Sequence, residues 1–135
     1  METNINKNIN KKHYVSLEVA QLLKSKGYNL RSDYVYSEID GHFDENLIYH
    51  LNVECLHDCV FSPNYVFAPT LLEALDWVEE RNIRIEFHWK RETGWFYLIR
   101  ECATEYIVDF ADSTHFTDRN ECINVALNKA LKFIK

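Results

Sequence analysis

Residues 83–102 read IRIEFHWKRETGWFYLIREC, and this stretch decides the fold. Apolar and polar side chains alternate without a break from Ile83 to Lys90, which predicts a β-strand with one buried face. The side chains expected to face the core are Ile83, Ile85, Phe87 and Trp89. Arg91-Glu92-Thr93-Gly94 predicts a turn. The stretch from Trp95 to Cys102 is apolar on both faces and predicts a second strand in the middle of a sheet.

The flanking sequence places this hairpin between two helices. Thr70 and Glu73 have the spacing of a capping box and predict a helix that runs to about Arg81. Residues 105–110 predict a third strand, with Tyr106, Val108 and Phe110 on one face. Asp118 and Glu121 have the same capping-box spacing, and apolar residues then recur at helical intervals: Ile123, Leu127, Ala130, Leu131 and Ile134. The predicted order from Thr70 onward is α-β-β-β-α, which favours an antiparallel sheet with helices on one face.

The N-terminal half gives shorter patterns. Ser16 as N-cap predicts a helix over 17–26, and Gly27 can end it in the left-handed conformation. Asp40-Gly41 between aromatic stretches predicts a hairpin, alternation over 47–55 predicts a strand, and Ser62-Pro63-Asn64 predicts a turn. The complete pattern predicts an α+β fold with an antiparallel sheet of three to five strands and three helices.

Length and composition favour one domain. The chain has 135 residues, 47% of them hydrophobic and only three of them Gly, which is enough apolar surface for a core without disulfides or metal. Residues 1–13, METNINKNINKKH, predict a flexible segment, and residues 14–135 a single α+β domain. This start has no apolar signal segment, so a cytoplasmic location with reduced cysteines is expected. No apolar run approaches the roughly 18 residues of a membrane span, so no membrane association is expected.

Charge is unevenly distributed along the chain. The net charge is −6, yet residues 32–80 contain 11 acidic residues and no Lys or Arg. If these carboxylates share one surface, they attract a basic protein partner and repel phosphate backbones. The alternative is that basic segments pack beside them and neutralise them. The residues expected on an acidic, tyrosine-rich binding surface are Tyr34, Tyr36, Glu38, Asp40, Asp44, Glu45 and Tyr65, with the three tyrosines exposed.

Cys55-Leu56-His57-Asp58-Cys59 is the strongest candidate for metal chemistry. Two thiols and an imidazole lie within five residues, and His50 offers a fourth ligand for tetrahedral zinc. The spacing lacks the second distant ligand pair of common zinc sites, so core cysteines are the alternative. His57 beside either cysteine also suggests a thiolate nucleophile, but no orienting acid is suitably placed.

Other catalytic and binding motifs are missing from the sequence. It contains no P-loop, GxGxxG, HExxH or GxSxG, so no enzyme activity and no cofactor are predicted. The α-β-β-β-α order also occurs in double-stranded RNA binding domains, which place lysines at the start of the last helix. Here Asp118 and Glu121 occupy that place and disfavour nucleic acid as a partner.

Two stretches carry a family resemblance. Residues 68–78, APTLLEALDWV, and residues 14–20, YVSLEVA, followed by KGY at 26–28, resemble a family of small uncharacterised proteins of gut bacteria, their phages and mobile elements. Members look like a helix, a variable middle, a helix capped by APT, strands and a C-terminal helix. The resemblance implies this fold and a mobile-element origin, and it implies no activity, cofactor or site residue.

Three functional hypotheses follow. The first is a non-enzymatic accessory protein that binds another protein through the acidic, tyrosine-rich region 32–80. The second is a zinc-binding protein that uses His50, Cys55, His57 and Cys59. The third is a homodimer formed through a sheet edge or through the tyrosine-rich patch.

Overall fold

The computed structural model describes residues 11–30, 32–37, 41–45, 65–110 and 115–134. A 3-10 turn at Lys11–His13 precedes the first helix. The helices are α1 (Leu17–Ser25), α2 (Leu71–Glu79) and α3 (Arg119–Leu131). The strands are β1 (Tyr34–Ser37), β2 (Phe43–Glu45), β3 (Tyr65–Phe67), β4 (Ile83–Lys90), β5 (Gly94–Glu101) and β6 (Ile107–Phe110). The predicted α+β class and the α-β-β-β-α order of the C-terminal half are confirmed.

The described strands form two antiparallel sheets of three strands each. The first sheet has the order β2-β1-β3, and the second has the order β4-β5-β6. The predicted central strand is confirmed as β5, which pairs with β4 along its whole length, from Ile83 opposite Glu101 to Lys90 opposite Gly94. The hairpin predicted at Asp40-Gly41 is consistent with β1 and β2, because the Ser37 carbonyl accepts the Gly41 N–H at 2.7 Å.

The three helices begin at the predicted caps. The Ser16 hydroxyl accepts the Val19 N–H at 3.2 Å. Thr70 and Glu73 form a full capping box, in which each side chain accepts the other residue's backbone N–H. Asp118 caps α3 by accepting the N–H of Asn120. Side chains therefore satisfy N–H groups that the first helical turns leave without an internal partner.

Helix α3 lies at the centre of the core, in contact with α1, α2, β4 and β5. Its predicted apolar stripe is confirmed, and Cys122 and Ala126 extend it. The buried residues of this helix are Cys122, Ile123, Ala126, Leu127, Ala130 and Leu131. Because these side chains contact both other helices and the second sheet, α3 joins the two halves of the chain into one core.

The segment before α1 is fastened to the rest of the fold by backbone bonds. The Val15 N–H donates to the Pro69 carbonyl at 3.0 Å, and Tyr14 forms a bridge with Thr70. The Ser16 N–H donates to the Asn124 side chain at 2.8 Å. The 3-10 turn is built directly onto this anchored segment, so Lys11–His13, predicted as part of a flexible start, has regular structure.

Three side chains depart from the predicted exposure. Trp89, expected to face inward, is 57% exposed. It lies at the end of β4 next to the hairpin turn, and burial along the strand declines from Ile83 toward that end. Tyr36, expected at the surface, is only 3% exposed. Tyr106, expected on a strand face, precedes β6 and is 72% exposed. The predicted strand at 47–55 and turn at 62–64 lie outside the described residues.

None of the helices in the described part of the chain is long and apolar enough to cross a lipid bilayer.

Candidate functional site

Four aromatic rings meet at strands β1 and β2 of the first sheet. We call Tyr14, Tyr34, Tyr36 and Phe43 the aromatic cluster. Phe43 is at its centre, with its ring centroid 5.1 Å from those of Tyr34 and Tyr36 and 5.5 Å from that of Tyr14. Tyr34 stacks on Phe43 at an interplanar angle of 12°, and Tyr14 meets Tyr34 edge-on at 5.1 Å. These are the stacked and edge-to-face geometries that aromatic quadrupoles favour.

Strand geometry explains how the rings meet. Tyr34 and Tyr36 are two residues apart on β1 and therefore lie on the same face of the sheet. Phe43 on β2 is opposite Tyr36 in the antiparallel register, so its ring lies on that face as well. Tyr14 arrives from the anchored segment before α1. Three separate parts of the chain thus contribute to one surface.

Lys11 places a cation on this cluster. Its ammonium lies 5.5 Å from the ring centroid of Phe43 and 5.6 Å from that of Tyr36, within the range of a cation–π interaction. The Lys11 residue itself is exposed. The aromatic cluster is therefore a surface on which an ammonium group rests, with the chain's own lysine as the occupant.

Two carboxylates act on the same surface. Burial raises the pKa of Tyr14, and repulsion from Tyr34 once that phenol ionises, and from the Asp33 and Glu73 carboxylates, raises it further. Asp33 and Glu73 are both exposed. Their shared influence on Tyr14 places negative potential beside the aromatic cluster, where it favours a cation.

Tyr14 and Tyr36 are neutral near neutral pH. Burial raises the pKa of Tyr36 from its ordinary value of 10.0 to about 12. The Tyr36 hydroxyl donates to the Val15 carbonyl at 2.6 Å, so its proton is already committed to a structural bond. Since the pKa of Tyr14 and that of Tyr36 are both raised above 10.0, these two rings are uncharged near neutral pH.

The structure brings together only part of the predicted binding surface. Tyr34 is half-buried inside the aromatic cluster, and Tyr65 is 44% exposed on β3. The prediction that Tyr36 is exposed is wrong, because its ring is buried and its hydroxyl bonds to the Val15 carbonyl. Asp44 and Glu45 are described by their backbone alone, with Glu45 opposite Tyr34 in the strand register. Glu38 and Asp40 lie outside the described residues.

The acidic stretch is partly described. The structure describes five of its acidic side chains, and all five are exposed: Asp33, Glu73, Asp76, Glu79 and Glu80. Glu80 lies 3.9 Å from Arg81, which is a weak surface pair. Glu73 also serves the capping box through Thr70. The five described carboxylates are therefore exposed, and one of them, Glu80, lies near the side chain of the adjacent Arg81.

The predicted zinc ligands His50, Cys55, His57 and Cys59 lie outside the described residues, so this hypothesis stays a prediction. Within the described ranges, no group of three or more His, Cys, Asp or Glu side chains is arranged to hold a metal ion. Of the two cysteines described there, Cys122 is buried in the core, and burial raises its pKa to about 11.

A second polar and aromatic group covers the outer face of the second sheet. His88 stacks on Phe96 at 5.2 Å, His115 meets the same ring at 5.4 Å, and the Lys90 ammonium lies 5.2 Å from its centroid. Beside them, Glu86 accepts a 2.9 Å bond from Arg100. Among the groups named on this face, Lys90 and Arg100 carry positive charge and Glu86 carries negative charge.

Sequence reasoning missed Lys11, Tyr14 and Phe43 as members of the site. Lys11 and Tyr14 belong to a start that reads as polar and flexible, and only the backbone bridge to Thr70 brings them to the first sheet. A usable signal existed in Tyr34, Tyr36 and Phe43, because a hairpin at Asp40-Gly41 places their rings near one another.

Comparisons of the chain with protein-family models, with curated proteins and with solved structures gave no match.

Proposed function

We propose that this chain is a non-enzymatic accessory protein that binds a basic segment of another protein on the aromatic cluster. The observation that carries the proposal is Lys11, whose ammonium lies 5.5 Å from the centroid of Phe43 and 5.6 Å from that of Tyr36. A surface that receives one of the chain's own lysines has the chemistry to receive a partner's lysine. The partner's ammonium takes the position of Lys11, which is exposed and moves into solvent.

The energies involved suit a reversible interaction. A cation on an exposed aromatic face contributes about 0.5–1 kcal/mol, and more when it is desolvated. Asp33 and Glu73 add attraction at short range, and the 11 acidic residues of the stretch 32–80 add attraction at longer range. These contributions favour a partner segment with several lysines or arginines over a single cation.

The sign of the charge also selects the class of partner. The carboxylates that attract a basic polypeptide repel a phosphate backbone, so a protein is favoured over a nucleic acid. The cytoplasmic location and the mobile-element origin stay predictions beside this proposal.

The proposal is tested by titration with hexalysine as the probe, followed through the backbone amide resonances of Tyr34 and Phe43. Phe43→Leu removes the ring at the centre of the cluster, and we expect binding to weaken several-fold. Lys11→Ala removes the internal competitor while touching only an exposed residue, and we expect binding to tighten several-fold.

The matched control is Tyr106→Leu, which removes a 72% exposed aromatic ring just before β6. Its affinity for hexalysine should equal that of the unmodified chain. The proposal is wrong if hexalysine at about 5 mM shifts neither reporter resonance. It is also wrong if Lys11→Ala, Phe43→Leu and Tyr106→Leu all bind the peptide equally well.

A further inference from the structure

Among the described strands, β4 lies at the edge of its sheet. Its eight residues pair with β5 on one side, and no other strand in the described ranges pairs with it on the other side. The Trp95 N–H donates to the Phe116 carbonyl at 2.7 Å, and the Trp95 carbonyl accepts the Phe116 N–H at 2.8 Å. Trp95 therefore forms no backbone bond with Trp89, its register partner on β4. The Cys102 N–H donates to the Asn82 carbonyl at 2.9 Å. From there, hydrogen-bonded and non-hydrogen-bonded residue pairs alternate along β4 and β5. The N–H and C=O groups of Ile85, Phe87 and Trp89 therefore point out of the sheet.

The charges along this edge are self-complementary in one register. We infer that β4 pairs antiparallel with β4 of a second copy of this chain, about a two-fold axis at His88. Glu86 then lies opposite Lys90 of the second copy, and Arg84 lies level with the turn that contains its Glu92. An isologous pair repeats the Glu86–Lys90 contact, so opposite charges meet on both sides of the axis, where His88 faces its own copy.

Neighbouring registers lack this match. An axis at Phe87 sets Arg84 against Lys90, and an axis at Glu86 sets that carboxylate against its own copy. An axis at Trp89 sets Glu86 level with the turn, so it loses its Lys90 partner. Like charges directly opposite each other destabilise a strand pair. Charged side chains on an edge usually prevent pairing, but here their alternating sign selects one register and excludes the others.

The apolar face of β4 supports the same register. Trp89 is 57% exposed, and Phe87 is half-buried on the same face. With the axis at His88, Phe87 lies opposite Trp89 of the second copy, and both residues have their backbone groups pointing outward. The pair gains two backbone-bonded aromatic contacts, one on each side of the axis. Joining the two copies makes a continuous six-stranded sheet from two sheets of three.

The test is the molar mass in solution over a concentration range up to about 500 μM. We expect twice the chain mass of 16.1 kDa at the upper end. Trp89→Pro removes one outward N–H and the exposed ring without touching a bond to β5, and it should give the single-chain mass. Phe43→Leu alters only the aromatic cluster and should leave the dimer intact, which separates this inference from the proposed function.

A charge exchange tests the register itself. Glu86→Lys places Lys against Lys90, and Lys90→Glu places Glu against Glu86, so each variant alone should be monomeric. Mixing the two variants should restore a dimer of one copy of each, and so should the double variant Glu86→Lys/Lys90→Glu. A single-chain mass for the unmodified protein at every concentration overturns the inference. So does a dimer that persists in Trp89→Pro and in both single variants, because its interface lies elsewhere.

Discussion

The phenol of Tyr36 donates a 2.6 Å hydrogen bond to the main-chain carbonyl of Val15, and both residues are buried. This bond joins strand β1 to the segment that precedes helix α1. Val15 in turn donates its N–H to Pro69, so one residue connects the first sheet to the approach to α2. The 3-10 turn at Lys11–His13 and Tyr14 directly precede Val15 in the chain. The bonds of Val15 therefore position the aromatic cluster.

Tyr36→Phe should destabilise the fold. The substitution keeps the buried ring but leaves the Val15 carbonyl without its phenol donor, and an unsatisfied buried acceptor costs about 1–3 kcal/mol. We expect the free energy of unfolding, measured with urea, to fall by that amount. Tyr106→Phe, at a 72% exposed position, should change it by less than about 0.5 kcal/mol. Equal losses in the two variants would remove the structural role assigned to the Tyr36 hydroxyl.

Alkaline pH should weaken the fold through Tyr28 and Tyr36. Burial is the main cause that raises the pKa of both phenols from 10.0 to about 12 in the folded chain. The unfolded chain therefore releases these protons first, and the free energy of unfolding falls as pH rises from 10.0 toward about 12. Tyr36→Phe should make this decline shallower, whereas Tyr106→Phe should leave its slope unchanged. Urea unfolding across this pH range measures the slopes.

Gly94→Ala should be much more harmful than Gly27→Ala, although the two glycines have nearly the same φ, +96° and +97°. A Cβ at Gly94 would lie 2.4 Å from the Phe116 carbonyl oxygen, which accepts the Trp95 N–H, whereas a Cβ at Gly27 meets no atom within 4 Å. Gly27→Ala should cost about 1–2 kcal/mol for the left-handed backbone alone. Gly94→Ala should lower the free energy of unfolding by the same amount plus at least about 1 kcal/mol, because the Phe116 backbone must move away from the new Cβ. Equal thermal stabilities would contradict the close approach at Phe116.

Local signals predicted the elements of this fold well. Ser16, Thr70 with Glu73, and Asp118 each combine a side-chain acceptor with an apolar stripe, and each starts a helix in the structure. Such caps act within one helical turn, so the sequence alone contains all of the interaction. The alternation over Ile83–Lys90 works in the same way for β4.

Features that depend on distant contacts were not predictable. Periodicity tells which residues of β4 share a face. Packing against the rest of the fold decides which of them are buried, and it leaves Ile83 buried and Trp89 exposed. Tyr36 lies in an acidic stretch and reads as a surface residue until Val15 is placed beside its hydroxyl. The contact of Lys11 with Phe43 joins residues 32 positions apart, and no local pattern encodes it.

The local carboxylates, rather than net charge, should control binding of a basic peptide. Glu73→Gln keeps an oxygen that can accept from Thr70, so the capping box survives while the charge is removed. With Asp33→Asn it deletes the two charges beside Tyr14, and this double variant should bind hexalysine several-fold more weakly and lower the pKa of Tyr14. The matched control, Glu79→Gln with Glu80→Gln, removes the same charge from the exposed end of α2 and should weaken binding much less. If both double variants lose affinity equally, attraction to the whole acidic stretch explains the binding, and the aromatic cluster has no special role.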